Sequence, residues 1–187
     1  MMSAIEIQTG RRAASERAVD AGTAAHMRRA EPRDVPTIAG LINHYAALGQ
    51  MLPRKAESVA QNLHEFIVAE AREQVVACGA LHHWDADSAE VRSLAVAEEF
   101  SGRGLGKQIV ARLLEMGRER GFRYAFALTL QVRFFEKLGF AVVKKSVLPH
   151  KIWGDCIVCP FLYNCHETAM LIPLRGANDD HARLPIN

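Results

Sequence analysis

Apolar positions recur every three or four residues from about Asp34 to Ala47, which predicts an amphipathic helix with one buried stripe. The same period returns after a glycine-rich stretch and runs to about Arg120, where Gly121 predicts the end of a second long helix. The apolar runs between these helices predict three strands, at about 65–70, 74–83 and 89–97.

Shorter patterns flank these elements. They predict a strand at 26–30, a helix near 57–64, a strand at 123–130, a helix at 131–138 and strands at 139–148 and 167–174. The resulting order, β-α-α-β-β-β-α-β-α-β-β, indicates an α/β fold in which helices cover a mixed sheet. At 187 residues the chain is long enough for one full core, and nothing in it requires a second domain.

Composition and charge narrow the classes of function. The net charge of +2 is spread as mixed signs, without the basic field that a nucleic-acid partner requires. No apolar run is long enough to span a membrane, and the N-terminus lacks the apolar core of a secretory signal, so we expect a cytoplasmic protein. Residues 1–25, rich in Ala and Arg and without a period, predict a flexible arm before a domain at 26–187.

The glycine-rich stretch is SGRGLGK, residues 101–107, at the start of the second long helix. Its glycines permit a tight turn that exposes backbone N–H groups, a geometry that binds phosphate oxygens. A nucleotide P-loop is excluded because three residues, not four, separate Gly102 from Gly106, and Gln108 stands where Ser or Thr is required. The alternate spacing also differs from a dinucleotide fingerprint. A glycine-rich connection without a ligand is the other interpretation.

The flanking residues favour a ligand. The run Leu94-Ala95-Val96, a four-residue spacer and then SGRGLGKQIVARLLEMGRERG resemble the acetyl-coenzyme A loop of the GNAT family of N-acetyltransferases, and FFEKLGF at 134–140 resembles that family's FYEKxGF. The resemblance covers roughly residues 26–174. It implies a single GNAT-type domain with a mixed, mostly antiparallel sheet and acetyl-CoA as co-substrate. The implied coenzyme-binding residues are Leu94, Val96, Ser101, Gly102, Arg103, Gly104, Leu105, Gly106, Lys107 and Phe134.

Two positions depart from that family pattern. Ser101 stands where the family usually has Gln or Arg, although its hydroxyl and the backbone donors of the loop are kept. Phe135 replaces the usual Tyr, whose phenol protonates the leaving thiolate in many relatives. Thr129, Tyr163 or solvent are the candidates for that role here.

Further segments indicate a subfamily. MLPR at 51–54, CGALHHW at 78–84, AEVRSLAVAEEF at 89–100 and LPHKIWGDCIVCPFLYNCHETAM at 148–170 resemble the short amino-acid N-acetyltransferases that make N-acetylglutamate for arginine biosynthesis. The resemblance implies L-glutamate as acceptor and a homodimer. The alternatives are another amine, such as a different amino acid, a peptide terminus or an antibiotic, and a non-catalytic acetyl-CoA sensor or zinc-stabilised interaction module.

The reaction requires a proton acceptor and an oxyanion donor. Glu90 is our candidate base because its strand runs directly into the glycine loop, whereas a solvated strand carboxylate is the plainer interpretation. His82 or His83, at the end of a strand, is a second candidate base. The backbone N–H near Leu94 is the candidate oxyanion donor if the strand bulges there.

The two carboxylates of glutamate require fixed cations. Arg92 shares a strand face with Glu90, and Arg54 lies in a loop that closes over the acceptor in the resembled family. Lys151 is a third candidate.

Three of the four cysteines, Cys156, Cys159 and Cys165, lie in a Cys-rich insertion at 149–166. With His166 they suggest a structural zinc site, but the usual second ligand pair is missing. We therefore expect reduced thiols that shape a substrate-side loop and no metal in the chemical step.

Overall fold

A computed structural model of the protein describes residues 25–148, 154, 156–159 and 161–174. The strands are β1 (His26–Arg29), β2 (Phe66–Ala71), β3 (Gln74–His83), β4 (Ser88–Val96), β5 (Tyr124–Thr129), β6 (Ala141–Val142) and β7 (Thr168–Pro173). The helices are α1 (Val35–Ala47), α2 (Ala56–Gln61), α3 (Leu105–Glu119) and α4 (Val132–Glu136), with short 3-10 turns between elements. The predicted arm, apart from Ala25, lies outside the described residues, so the domain boundary stays a prediction.

The strands form one sheet in the order β1-β2-β3-β4-β5-β7-β6. Every neighbouring pair is antiparallel except β4 and β5. That parallel pair needs a crossover, which α3 supplies. The predicted mixed, mostly antiparallel sheet is therefore confirmed.

Helices cover both faces of the sheet. The apolar stripe of α3, which includes Ile109 and Leu113, packs with α4 in one core cluster, and Ile38 and Ile42 of α1 anchor another cluster on the opposite face. Gly79 of β3 permits this close packing, since a Cβ there would lie 2.6 Å from Ile109 Cγ2. None of the helices in the described part of the chain combines the length and apolarity needed to cross a bilayer.

Regular strand pairing in the centre of the sheet is interrupted on both edges of β4. Cys78 pairs with Ala95 and Ala80 with Arg92, so β4 carries one extra residue in a bulge at Ser93 and Leu94. Ser93 has a backbone φ of 54°, a conformation that residues other than glycine rarely adopt. On the other edge of β4, the described pairing with β5 runs only from Ser88 to Glu90. The two strands then diverge and leave a cleft.

One predicted element is much shorter than expected. The strand predicted at 139–148 is reduced to Ala141–Val142, followed by a 3-10 turn at Lys145–Val147. These residues form the outer edge of the sheet, where only β7 is available for pairing. Short edge strands that end in lysines limit pairing with other chains, which is a physical reason for the early stop.

Candidate active site

The cleft between β4 and β5 contains a cavity of about 390 Å³. It is lined by Tyr45, Gln50, Met51, Leu52, Arg54, Glu90, Val91, Arg92, Ser93, Leu94, Ala95, Val96, Gly106, Leu128, Thr129, Leu130, Gln131, Phe134, Phe135, Cys156, Cys159 and Glu167. The volume suits a small molecule. Of the residues predicted for the coenzyme, Leu94, Val96, Gly106 and Phe134 line this cavity, and Arg54 and Arg92 of those predicted for the acceptor line it too.

Glu90 is a buried carboxylate in the cavity wall. The residue is only 4% exposed, so its interpretation as a solvated strand carboxylate is wrong. Trp84 Nε1 donates a hydrogen bond to Glu90 Oε2 at 3.0 Å, and Arg92 Nη1 lies 4.0 Å from the same oxygen. The Trp84 ring in turn fills the space beside Gly154, where a Cβ would come within 2.6 Å of it. Packing and hydrogen bonding therefore hold the carboxylate in place.

A second buried carboxylate, Glu65, lies next to Arg92 and outside the cavity lining. Its Oε1 lies 2.6 Å from His82 Nδ1 and its Oε2 lies 3.4 Å from Arg92 Nη2. Burial alone would raise the pKa of Glu65, but the hydrogen bond with His82 and the electrostatic attraction of its neighbours His82 and Arg92 outweigh burial and lower that pKa. Sequence reasoning missed Glu65 because it placed the residue only as the polar start of the predicted strand at 65–70.

The two histidines considered as bases are engaged elsewhere. His82 faces Glu65, and His83 is exposed with its ring against Phe122. Neither lines the cavity. The geometry therefore favours Glu90 over both as the candidate base.

Arg54 reaches the cavity from the loop between α1 and α2. The Asn43 side chain clamps that loop, donating to the Arg54 carbonyl and accepting from the Arg54 N–H, both at 2.9 Å. The guanidinium Nε donates to Ser93 Oγ at 3.1 Å. The Arg54 guanidinium is thus fixed against the β4 bulge.

The bulge that the Leu94 hypothesis requires is present, and it removes Ser93 and Leu94 from the regular register with β3. Beyond the bulge, the Tyr45 hydroxyl donates to the Val96 carbonyl. The side chains of Leu94 and Val96 pack toward the α3 core. Described ladder pairing between β4 and β5 ends at Glu90, so it does not extend to β4 at the level of the bulge.

The glycine loop has the conformation its sequence suggests. Gly102 and Gly104 have φ values of 74° and 82°, and Gly104 is the N-cap of α3. No other group within 4 Å would meet a Cβ at either position, so it is the backbone angle that calls for glycine. The first N–H groups of α3 point out of the helix start, a suitable cradle for phosphate oxygens.

The other loop residues differ in what they present. Ser101 and Lys107 are exposed, whereas the Leu105 side chain is buried in the core, so only its backbone faces outward. The Arg103 guanidinium folds back over the Phe100 ring at 5.0 Å and donates to the Glu99 carbonyl. In this conformation Arg103 does not turn toward the loop interior.

Aromatic rings close the coenzyme end of the cavity. Phe134 lies beside Gly106, where a Cβ would be 3.5 Å from the ring, and packs edge to face on the buried Phe135. The Thr129 hydroxyl accepts the Gln131 N–H at 2.9 Å, a bond that does not use the hydroxyl proton. Tyr163 is 100% exposed and outside the cavity lining, so of the two side chains considered as thiolate proton donors only Thr129 is in place.

The Cys-rich insertion supplies part of the opposite wall. Cys156 and Cys159 line the cavity with Glu167, while Cys165 lies outside it. The described residues contain no group of three or more His, Cys, Asp or Glu side chains arranged to hold a metal ion. Lys151 lies outside the described residues.

Known sequences resemble this chain over most of the described domain. Residues 38–140 match the model of the acetyltransferase (GNAT) family. An uncharacterised N-acetyltransferase of Chlorobaculum tepidum is 37% identical over 145 residues, which cover 78% of this chain and 94% of the relative. An amino-acid acetyltransferase of Mycobacterium tuberculosis is 33% identical over 132 residues, covering 69% of this chain and 75% of the relative.

Solved structures resemble this chain in fold. A Mycobacterium tuberculosis protein crystallised with coenzyme A and a second ligand superposes with a TM-score of 0.70 at 31% identity, covering 80% of this chain and 99% of that one. The N-acetylglutamate synthase of Neisseria gonorrhoeae, complexed with coenzyme A and N-acetyl-glutamate, gives a TM-score of 0.71 at 23% identity. That match covers 82% of this chain and 36% of the synthase, and at this identity it shows the fold alone.

Proposed function

This chain belongs to the GNAT family of acetyltransferases, and we propose that it transfers the acetyl group of acetyl-CoA to the α-amine of L-glutamate. Membership follows from the family match over residues 38–140 and from the 37% identical relative. The chain is therefore an acetyl-CoA-dependent acetyltransferase related to amino-acid acetyltransferases. The glutamate acceptor is the proposal.

The described residues fit the coenzyme. The N–H groups at the start of α3, with Gly102 and Gly104 in left-handed conformations, would hold the pyrophosphate. The β4 edge left open by β5 would pair with the pantetheine arm, as a strand pairs with an extended peptide. The ring of Phe134 would cover the arm. The coenzyme supplies an activated thioester at the centre of the cleft.

The observation that carries the acceptor class is that two cations, Arg54 and Arg92, line the same cavity as the buried Glu90. The Ser93 hydroxyl holds the guanidinium of Arg54, and the Glu65 carboxylate holds that of Arg92. Guanidinium groups fixed in this way bind carboxylates. An amino acid with two carboxylates fits two such forks, and its α-amine would lie near Glu90.

In the reaction a C–N bond forms and a C–S bond breaks, so the amine must lose one proton and the departing thiolate must gain one. Glu90 would accept the amine proton, directly or through a water molecule. The Leu94 N–H, at the bulge, would donate to the developing oxyanion. The thiolate would gain its proton from solvent through the Thr129 hydroxyl, which lines the cavity and would take up one proton as it passes another on.

Three further parts of the proposal rest on the family resemblance. The product would serve arginine biosynthesis, the protein would be a homodimer, and Lys151 would assist acceptor binding. Analytical ultracentrifugation tests the dimer, because a monomer at micromolar concentration would contradict it.

The test is free-thiol release from acetyl-CoA by the purified protein with each of the twenty amino acids at one concentration, and with Arg54→Ala and Arg92→Ala beside the wild type. We expect selective turnover with glutamate and a raised glutamate KM in both variants. Turnover with another amine would keep the chemistry and overturn the acceptor. Binding of acetyl-CoA without turnover on any amine would favour a sensor.

A further inference from the structure

Glu65 lies outside the cavity lining, yet it contacts a residue that forms the lining. It ends the 3-10 turn Leu63–Glu65 just before β2, and its side chain is 5% exposed. One carboxylate oxygen is hydrogen-bonded to His82 of β3, and the other lies within hydrogen-bonding distance of the Arg92 guanidinium of β4. Glu65 therefore connects two strands through their side chains on the acceptor side of the sheet.

Burying a carboxylate at this position costs free energy, because the charged group loses its contact with water. Apolar side chains of similar volume often stabilise a fold as well as a buried ion pair does. The partners of Glu65 lower its pKa, so the group is ionised at neutral pH. Its negative charge therefore acts on Arg92 under working conditions.

Arg92 lies between two carboxylates. Its Nη2 is 3.4 Å from Glu65 Oε2, and its Nη1 is 4.0 Å from Glu90 Oε2. If the charge of Glu65 were removed, the guanidinium would be drawn toward Glu90. That movement would occupy both the acceptor fork and the candidate base.

We propose that Glu65 is a positioning residue, which anchors one edge of the Arg92 guanidinium so that the fork can face the acceptor carboxylate and comes no closer to Glu90 than the present 4.0 Å. The proposal rests on the proposed function, because it assumes that Arg92 binds an acceptor carboxylate. Glu65 itself contacts neither substrate. Its His82 partner packs against Trp84, which donates to Glu90, so the test must separate an effect through Arg92 from one through His82.

A double-mutant cycle tests this dependence. Glu65→Gln keeps the shape of the side chain and removes its charge, Arg92→Ala removes the fork, and Glu115→Gln on the exposed face of α3 is the control for loss of a paired glutamate. We expect Glu65→Gln to lower kcat/KM for the acceptor by about tenfold, within the range of coupling between contacting residues, and to leave the acetyl-CoA KM unchanged. In the Arg92→Ala background the same substitution should change kcat/KM less than about twofold.

Equal, multiplying losses in the two backgrounds would overturn the proposal, since a merely structural Glu65 would act without Arg92. If Glu65→Gln fails to fold, the same cycle with Glu65→Asp withdraws the carboxylate and keeps its charge. We expect its loss also to depend on Arg92.

A second readout does not need turnover, so it separates this proposal from the proposed function. If the wild type acetylates no amino acid, the proposed function fails, and the anchoring of Arg92 is measured by its rate of modification with phenylglyoxal, followed by peptide mass spectrometry. We expect the rate of Arg92 modification in Glu65→Gln to differ several-fold from the wild-type rate, because the guanidinium would move from Glu65 toward Glu90. Equal rates would overturn the anchoring.

Discussion

Glu90 is the residue whose chemistry is most sharply tested by one substitution. Glu90→Gln keeps the volume and can still accept the Trp84 hydrogen bond, but an amide does not take up the amine proton. Because general-base catalysis contributes about 10²–10⁴-fold, we expect kcat to fall by about that factor with the acetyl-CoA KM unchanged. Steady-state thiol release measures both values. Glu136→Gln, exposed on α4, is the control, and full turnover in Glu90→Gln would remove Glu90 from the mechanism.

The cysteines should separate by reactivity. Burial raises the pKa of Cys78 to about 12, and the residue is 0% exposed. Since the thiolate is the nucleophile, Cys78 should resist iodoacetamide at about pH 8, whereas the half-buried Cys156 and Cys159 at the cavity wall should be alkylated. Peptide mass spectrometry over time measures the rates, and urea should make all four cysteines react. Early labelling of Cys78 in the native protein would contradict the packing of β3 on α1.

At this scale the sequence predicted some positions and missed others for a physical reason. Alternation along a strand placed Glu90 and Arg92 on one face, and the structure agrees. Glu65 was missed because its importance comes from residues distant in the chain, at positions 82 and 92. The bulge is equally hard to predict from sequence, because nothing in the residue type of Ser93 indicates its positive φ.

The start of α3 gives a prediction about one element. Gly104→Ala places a side chain at a φ of 82°, which costs about 1–2 kcal/mol in backbone energy. We expect a lower free energy of unfolding and a several-fold higher acetyl-CoA KM, because the loop must shift its N–H groups. Urea unfolding and steady-state kinetics measure the two effects.

Gly40→Ala is the matched control for that substitution. It lies within α1, where a Cβ also meets no atom within 4 Å, so it should stabilise the protein by about 0.5–1 kcal/mol and leave the KM unchanged. If Gly104→Ala behaved like Gly40→Ala, the backbone conformation of the loop would not matter for coenzyme binding.

The order of elements was predictable because the hydrophobic periodicity of long segments such as α1 and α3 indicates a helix. The strand at 139–148 was not, since its length depends on its place at the edge of the sheet. The divergence of β4 from β5 was likewise invisible. It arises from pairing between strands that α3 separates in the chain.

The whole molecule should lose stability in acid through a cluster remote from the cavity. Arg28 on β1 donates to Asp34 Oδ2 at 2.6 Å and Oδ1 at 2.9 Å, and it also pairs with Glu70 on β2. The hydrogen bonds from Arg28 lower the pKa of Asp34 despite its burial, and they lower the pKa of Glu70 as well. The cluster thereby ties the first strand and the start of α1 to the sheet.

The sign of the pH dependence follows from these lowered pKa values. The unfolded chain takes up protons at the ordinary carboxyl pKa, above the pKa of the folded state, so the stabilisation is complete above the ordinary value and disappears as pH falls through the lowered one. Asp34→Asn should cost about 1.5–3 kcal/mol near pH 7, the usual contribution of hydrogen bonds to charged groups. It should also lose less stability than the wild type between about pH 7 and about pH 3. Urea unfolding at the two pH values measures both differences, and parallel acid losses in the two proteins would show that the acid sensitivity arises elsewhere.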